Sequence, residues 1–107
     1  MPKVLPFVLL ALAAGPVAQA QTPPVQDMTV QRGAAIAESR CSTCHQIGPE
    51  DGMSRTAPSF NIIGLRHTPI SLERQLGALK NGHYEMPPLR LETDEIRAIT
   101  AYIESLR

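Results

Sequence analysis

The stretch CSTCHQIGPEDG, residues 41 to 52, holds both cysteines of a 107-residue chain, two residues apart, with a histidine directly behind the second. Cys41, Cys44 and His45 thus fall within five residues. Three chemistries use such a spacing: a redox disulfide, one half of a zinc site, and covalent attachment of haem. The rest of the sequence decides among them.

The chain opens MPKVLPFVLLALAAGPVAQA. One cation, Lys3, precedes an apolar run from Val4 to Ala14, and the stretch closes on Ala18-Gln19-Ala20. A positive start, a short apolar segment and a small-x-small site are the layout of a secretory signal peptide. A spanning helix needs about 20 apolar residues, whereas this run is shorter and is interrupted by Pro6, Gly15 and Pro16. The expected organisation is a signal peptide over residues 1–20, an exposed linker over 21–28 and one domain over 29–107. The mature protein would then lie in the periplasm, with no membrane span after cleavage.

Removing Lys3 with the signal leaves nine Lys and Arg against ten Asp and Glu. That balance argues against nucleic acid, which demands a concentrated basic surface, and against a polybasic membrane patch. Only Phe60, Tyr84 and Tyr102 remain as aromatics, and there is no tryptophan. A domain of this size buries only about 60% of its unfolded surface and often needs a staple. An apolar cofactor would supply the missing core.

Export makes disulfide chemistry possible, but a thioredoxin-like pair sits at a helix start within a βαβ pattern, and no alternating strand-like run precedes Cys41. A closed zinc site wants four N or S ligands, and neither His67 nor His83 falls at a paired spacing. Haem attachment needs only what is present: Cys41 and Cys44 each add as a thiol across a vinyl group, and His45 becomes the proximal iron ligand.

Spacing also outlines helices. Val30, Ala34, Ala37 and Cys41 form one helical stripe, with Asp27 or Thr29 able to cap its start. TDEIRAITAYIESLR, residues 93–107, carries Ile96, Ile99, Ile103 and Leu106 on one face beside Tyr102, with Thr93 as the expected N-cap. Between them fall a short helix around Phe60–Arg66 and another over about 71–81. The latter bears Leu72, Leu76 and Leu79, with Gly82 as its stop and Pro69 separating the two. No strand is expected. GPEDGMSRT, residues 48–56, reads as a surface loop in which Glu50 and Asp51 are solvated charge.

Over residues 28 to 107 the chain resembles a small monohaem bacterial cytochrome c, the class with one histidine and one methionine ligand. The resemblance is specific at CSTCH and supported at APSF and GHYEMPP. It implies an all-α cytochrome c-like fold, about four short helices around one covalent haem c, the first and last helices crossing with Gly33 against Tyr102. Ala37 departs from that pattern, which often has a larger apolar residue there. The resemblance also implies that the Pro58 carbonyl accepts from His45 and that Phe60 packs on the haem.

Met28, Met53, Met86, His67 and His83 are the candidates for the second iron ligand. Met86 follows two intervening helices and is stiffened by Pro87 and Pro88, and it matches the family's MP pair; His83 is the runner-up. Met28 and Met53 read as pliable core fillers. With both axial positions taken, the iron exchanges single electrons and binds no substrate. The implied function is a periplasmic electron-transfer protein, not an enzyme, acting as a soluble carrier or as the cytochrome subunit of an oxidoreductase. Its partners would be a donor dehydrogenase and an acceptor oxidase or reductase. The alternative is a haem enzyme or gas-binding protein with an open sixth position.

Overall fold

The computed structural model describes residues 2–15, 24–49 and 56–107. Residues 2–15 have no regular secondary structure and every side chain there is exposed, so they add nothing to the core. The expected cleavage site at Ala18-Gln19-Ala20, Met53 and the acidic pair Glu50 and Asp51 lie outside the described residues.

The described residues form four α-helices and no strand: α1 (Val25–Arg40), α2 (Phe60–Arg66), α3 (Pro69–Ala78) and α4 (Thr93–Ser105), with a 3₁₀ turn, Leu79–Asn81, continuing α3. None is long and apolar enough to cross a membrane. The all-α expectation therefore holds, and each expected helix is present.

Several ends differ from the sequence reading. α1 starts at Val25, inside the stretch expected as linker; residues 24–28 are exposed but helical from Val25 onward. Pro24 is its N-cap and supplies no side-chain hydrogen bond, so neither Asp27 nor Thr29 caps it. Proline presets a helix-compatible φ at such an end, Asp27 falls within the positive first turn, and the Thr29 hydroxyl donates back to the Val25 carbonyl at 3.0 Å. α4 begins one residue earlier than a Thr93 cap would place it. Glu92 is the N-cap, and its N–H donates to the Glu95 carboxylate at 3.0 Å, an interaction of capping-box type that outcompetes Thr93. Pro69 is the first residue of α3, where its missing N–H costs nothing, and the Thr68 hydroxyl caps that helix by accepting from Ser71 N–H.

Packing is organised by the crossing of α1 and α4. Gly33 is buried, and a Cβ placed there would lie 2.6 Å from the carbonyl carbon of Ala98 and 2.8 Å from Cβ of Tyr102. The two backbones can approach this closely only because residue 33 has no side chain, as the resemblance implied. Ala37, one turn later, is fully enclosed, so the smaller residue there leaves no exposed gap. A second close approach, at Gly64 of α2, faces Ile103 of α4, where a Cβ would sit 3.1 Å from the isoleucine methyl. The core cluster comprises Ala37, Cys41, Phe60, Leu72, Ile99 and Ile103, with Ile36, Ile47, Ile63 and Leu76 packed against it.

The outer edge of the crossing is bridged by Arg32 and Asp94, 2.8 Å apart, and by Arg40 and Glu95, 3.7 Å apart. The Arg32 guanidinium holds the Asp94 carboxyl below the usual carboxylate range. Both groups are largely exposed, so the pair adds orientation more than stability.

Replacing Gly33 with alanine should force the helices apart and destabilise the domain by about 1–3 kcal/mol, despite alanine's better helix propensity. Thermal unfolding of the haem-loaded protein checks this; an unchanged or raised melting temperature would mean that the crossing is looser than described.

Candidate haem site

α1 ends at Arg40, but its winding persists through the cysteine cluster. Cys41 N–H donates to Ala37 O at 2.8 Å, and the Cys41 carbonyl accepts from the N–H groups of Cys44 at 3.2 Å and His45 at 2.9 Å. Residues three and four apart on such a turn lie on one side of it. The C-x-x-C-H spacing thereby gathers two thiols and one imidazole at the end of a helix pinned by the α1–α4 crossing.

The loop behind the cluster is tied to the segment that starts α2. Ala57 N–H donates to Cys44 O at 3.1 Å and Phe60 N–H to Gln46 O at 2.9 Å. Nδ1 of His45 lies 2.6 Å from the Pro58 carbonyl. A carbonyl can only accept, so Nδ1 carries the hydrogen and Nε2 keeps its lone pair, which is the tautomer a metal ligand requires. Proline explains the position: it has no N–H to engage, and it holds an extended backbone ahead of Ser59, whose hydroxyl caps α2 by accepting from Ile62 N–H. The Phe60 ring stands 5.5 Å from the imidazole, tilted by 52°.

These groups line a cavity of about 700 Å³, within the range of cofactor pockets. Cys41, Cys44, His45 and Met86 all line it, together with Phe60 and Leu72. The sequence reading therefore named four residues that the fold brings to one wall system. Pro58 and Phe60 also line the cavity, in keeping with their expected supporting roles.

Met28 does not join them. It is 53% exposed on the outer first turns of α1, so it is neither a ligand candidate nor the core filler expected from its type. Helix α1 begins earlier than expected, and Met28 consequently lands on a solvent-facing turn. His67 and His83 both line the cavity.

Met86 closes a four-residue turn with His83. Met86 N–H donates to His83 O at 2.7 Å, and His83 N–H donates to Met86 O at 3.1 Å. Glu85 takes the positive φ of +58° that the turn needs, and Gly82, also at positive φ, ends the 3₁₀ turn as expected. Beyond the two prolines, Leu89 N–H returns to Leu79 O at 2.9 Å. Met86 is thus held by backbone bonds on one side and two donor-free, φ-restricted residues on the other.

Two features had no local sequence signal. The Arg107 guanidinium donates to the carbonyls of Gly64 and His67, satisfying the C-terminal end of α2, and pairs with Glu104 at 3.3 Å. The two carbonyl contacts span some forty positions of chain, and no pattern within α2 or α4 announces them. The Tyr102 hydroxyl donates to the Ile47 carbonyl at 2.6 Å, although the residue pattern placed Tyr102 only beside the apolar stripe of the last helix and the resemblance only against Gly33.

The cavity fits a porphyrin by its residues as well as by its size. Its lining is mainly apolar, two thiols stand at the end of α1, and one imidazole presents a committed Nδ1 and an uncommitted Nε2. Cys41 and Cys44 are not joined to each other. Burial pushes the Cys41 thiol above its ordinary value, opposed by the Arg40 guanidinium, so Cys41 is held as a neutral thiol.

An all-helical domain that wraps such a cavity and places C-x-x-C-H at its edge is a cytochrome c domain. Residues 28–103 match the family model described as cytochrome c oxidase, cbb3-type, subunit III, and the chain belongs to that family. No curated protein and no solved structure matches it at a significant level. Membership supports covalent haem c and electron transfer through haem, with redox proteins as partners in general. Cys41 and Cys44 are the two cysteines available for the thioether links.

Replacing either cysteine alone with serine should leave haem held by one thioether, with a red-shifted absorption band for the unsaturated vinyl. The double replacement should give protein of apo mass after denaturation. Intact mass under denaturing conditions reads both; covalent haem surviving in the double variant would overturn the assignment.

Proposed function

We propose that this protein is a periplasmic single-electron carrier whose haem iron is held by His45 and Met86, working free or as the cytochrome subunit of an oxidoreductase. One observation carries the reading: His45, with its Nδ1–H committed to the Pro58 carbonyl, and Met86, on its braced turn, line the same cavity.

When bound, haem supplies a single iron that alternates between ferric and ferrous states, and a His/Met ligand set raises its potential. The chain's part is to keep both ligands in place through that change. His45 is restrained by the Pro58 carbonyl and the Phe60 ring, and Met86 by its reciprocal bonds to His83. Neither support depends on a side-chain charge that the electron would disturb, so little needs to rearrange. With haem in place the mainly apolar lining would limit water at the metal, which favours a stable potential over chemistry there.

Met86 is preferred to His83 because the thioether segment is stiff and because the imidazole of His83 belongs to an exposed residue. Export follows from the layout of residues 1–20 and agrees with the two cysteines serving a cofactor. Donor dehydrogenase and acceptor oxidase or reductase would dock briefly through a modest interface with a polar rim.

Replacing Met86 with alanine should convert a low-spin ferric spectrum to high spin, abolish the weak far-red thioether band and let the ferrous protein bind carbon monoxide. The reduction potential should fall on the order of 0.1–0.3 V, within the ~0.8 V that axial ligands command. Spectra unchanged in that variant but altered by H83Q would transfer the ligand role to His83. A wild-type protein that is already high spin would instead favour an enzyme or gas-binding role.

Haem-loaded protein from the periplasm should have Gln21 as its first residue. Intact mass checks this, and a mass retaining residues 1–20 would make that segment an anchor.

A further inference from the structure

We infer that Tyr102 is a positioning residue for His45, reaching it through a hydroxyl tether to the loop behind it and through the ring of Phe60. The inference rests on His45 as the iron ligand, and it adds a residue that the attachment motif does not contain.

The first observation is the pattern of ties along residues 44–49. Cys44 O accepts from Ala57, His45 Nδ1 donates to Pro58, Gln46 O accepts from Phe60, and Pro49 O accepts from the Asn61 side chain at 3.2 Å. All of these bind the loop to residues 57–61, which are themselves a loop and the start of a short helix. They fasten two irregular segments to each other, and the loop's remaining backbone bonds, from Cys44 and His45 N–H to Cys41 O, tie its start to the end of α1 and leave α4 unengaged. Among the described residues, the hydrogen bond from Tyr102 Oη to Ile47 O, at 2.6 Å, is the one that joins this loop to α4. Ile47 lies two residues beyond His45.

The second observation is geometric and independent of the hydroxyl. The Tyr102 and Phe60 rings are 6.4 Å apart and tilted by 58°, and Phe60 in turn meets His45 at 5.5 Å. Both distances are in the range of favourable tilted aromatic pairs. Tyr102 therefore touches the His45 environment twice, through its ring tilted against Phe60 and through its oxygen on the following loop.

The same residue is anchored at its root. Its Cβ lies against Gly33 at the close α1–α4 crossing. A rigid ring spans the distance from there to the loop with only two rotatable bonds, so the crossing acts as the fixed point and Tyr102 as the strut. Burial pushes the phenol above its ordinary value, which keeps the hydroxyl a donor across the working pH range. Phenylalanine would satisfy the crossing and the ring pair equally well; only the loop tether demands tyrosine.

The test compares Y102F with wild type as haem-loaded proteins, using native-state amide exchange and the reduction potential. With the tether removed, the Ala57 and Phe60 amides, whose acceptors lie on the loop, should exchange roughly five- to tenfold faster, the loss of about one net hydrogen bond. Amides in the middle of α1 and α4 should keep their wild-type rates, and the midpoint potential should be displaced. Y102L, which removes the ring as well, should show a larger displacement than Y102F. R32A, which breaks only the exposed Arg32–Asp94 pair at the same crossing, should leave the potential alone. The inference is overturned if the loop amides exchange at wild-type rates in Y102F, if they accelerate only in step with α1 and α4, or if the potential is unchanged. Failure of the Met86 assignment would show in the wild-type spectrum, whereas the exchange comparison reads the tether whichever group completes the iron's coordination.

Discussion

The absence of a side chain at Gly33 sets the architecture. It lets the backbone of α1 lie against the Ala98 carbonyl and the root of Tyr102 on α4, at a separation that no other residue would allow. Two turns further on, α1 ends in the cysteine cluster, so the precision of the crossing is inherited by Cys41, Cys44 and His45. The same crossing fixes Ile99 and Ile103 within the core and brings Ile103 to the cavity wall, with Gly64 of α2 in close contact behind it. A glycine inside a helix costs about 1 kcal/mol against alanine; here the close contact of two long helices offsets it.

What the crossing leaves unfilled is as informative as what it packs. The buried cluster is small, a handful of side chains with one large aromatic, and beside it lies a cavity of about 700 Å³. A short domain with so few aromatics has little apolar area of its own to bury. A covalently held porphyrin closes that deficit and turns cofactor binding into folding free energy, since the group binds the folded state and stays attached. The thioether positions are thus structural as much as functional: they hold in place the largest apolar body of the core.

Electron transfer asks for ligands that stay where they are when the charge on iron changes. The polypeptide answers with backbone. On the proposed ligand assignment, the Pro58 carbonyl orients His45, and the reciprocal bonds of the His83–Met86 turn hold the methionine segment. Carbonyls and amides do not titrate, so these restraints persist across pH. Prolines recur at both supports because a fixed φ and a missing donor leave the neighbouring carbonyl committed to one direction.

Much of this was legible in the chain. C-x-x-C-H named the cofactor because its five residues must share one turn, a local requirement; helix stripes and the stop at Gly82 are equally local, being written in residue type and spacing. Helix ends were read less well. Glu92 displaced Thr93 as a cap because side chains within one turn of an end compete for the same few amides, and sequence does not rank close competitors, whereas Pro24 starts α1 ahead of Asp27 through its preset φ with no side-chain bond. Met28 was misplaced because α1 starts at Val25, ahead of it, and carries it on a solvent-facing turn. The resemblance anticipated the pairing of Gly33 with Tyr102 and the acceptor role of Pro58, but residue spacing alone contained neither. Tyr102 to Ile47, and Arg107 to the carbonyls of Gly64 and His67, were decided by tertiary structure only. Those partners are remote in the chain, and their acceptors are backbone carbonyls, which every residue carries and no sequence distinguishes.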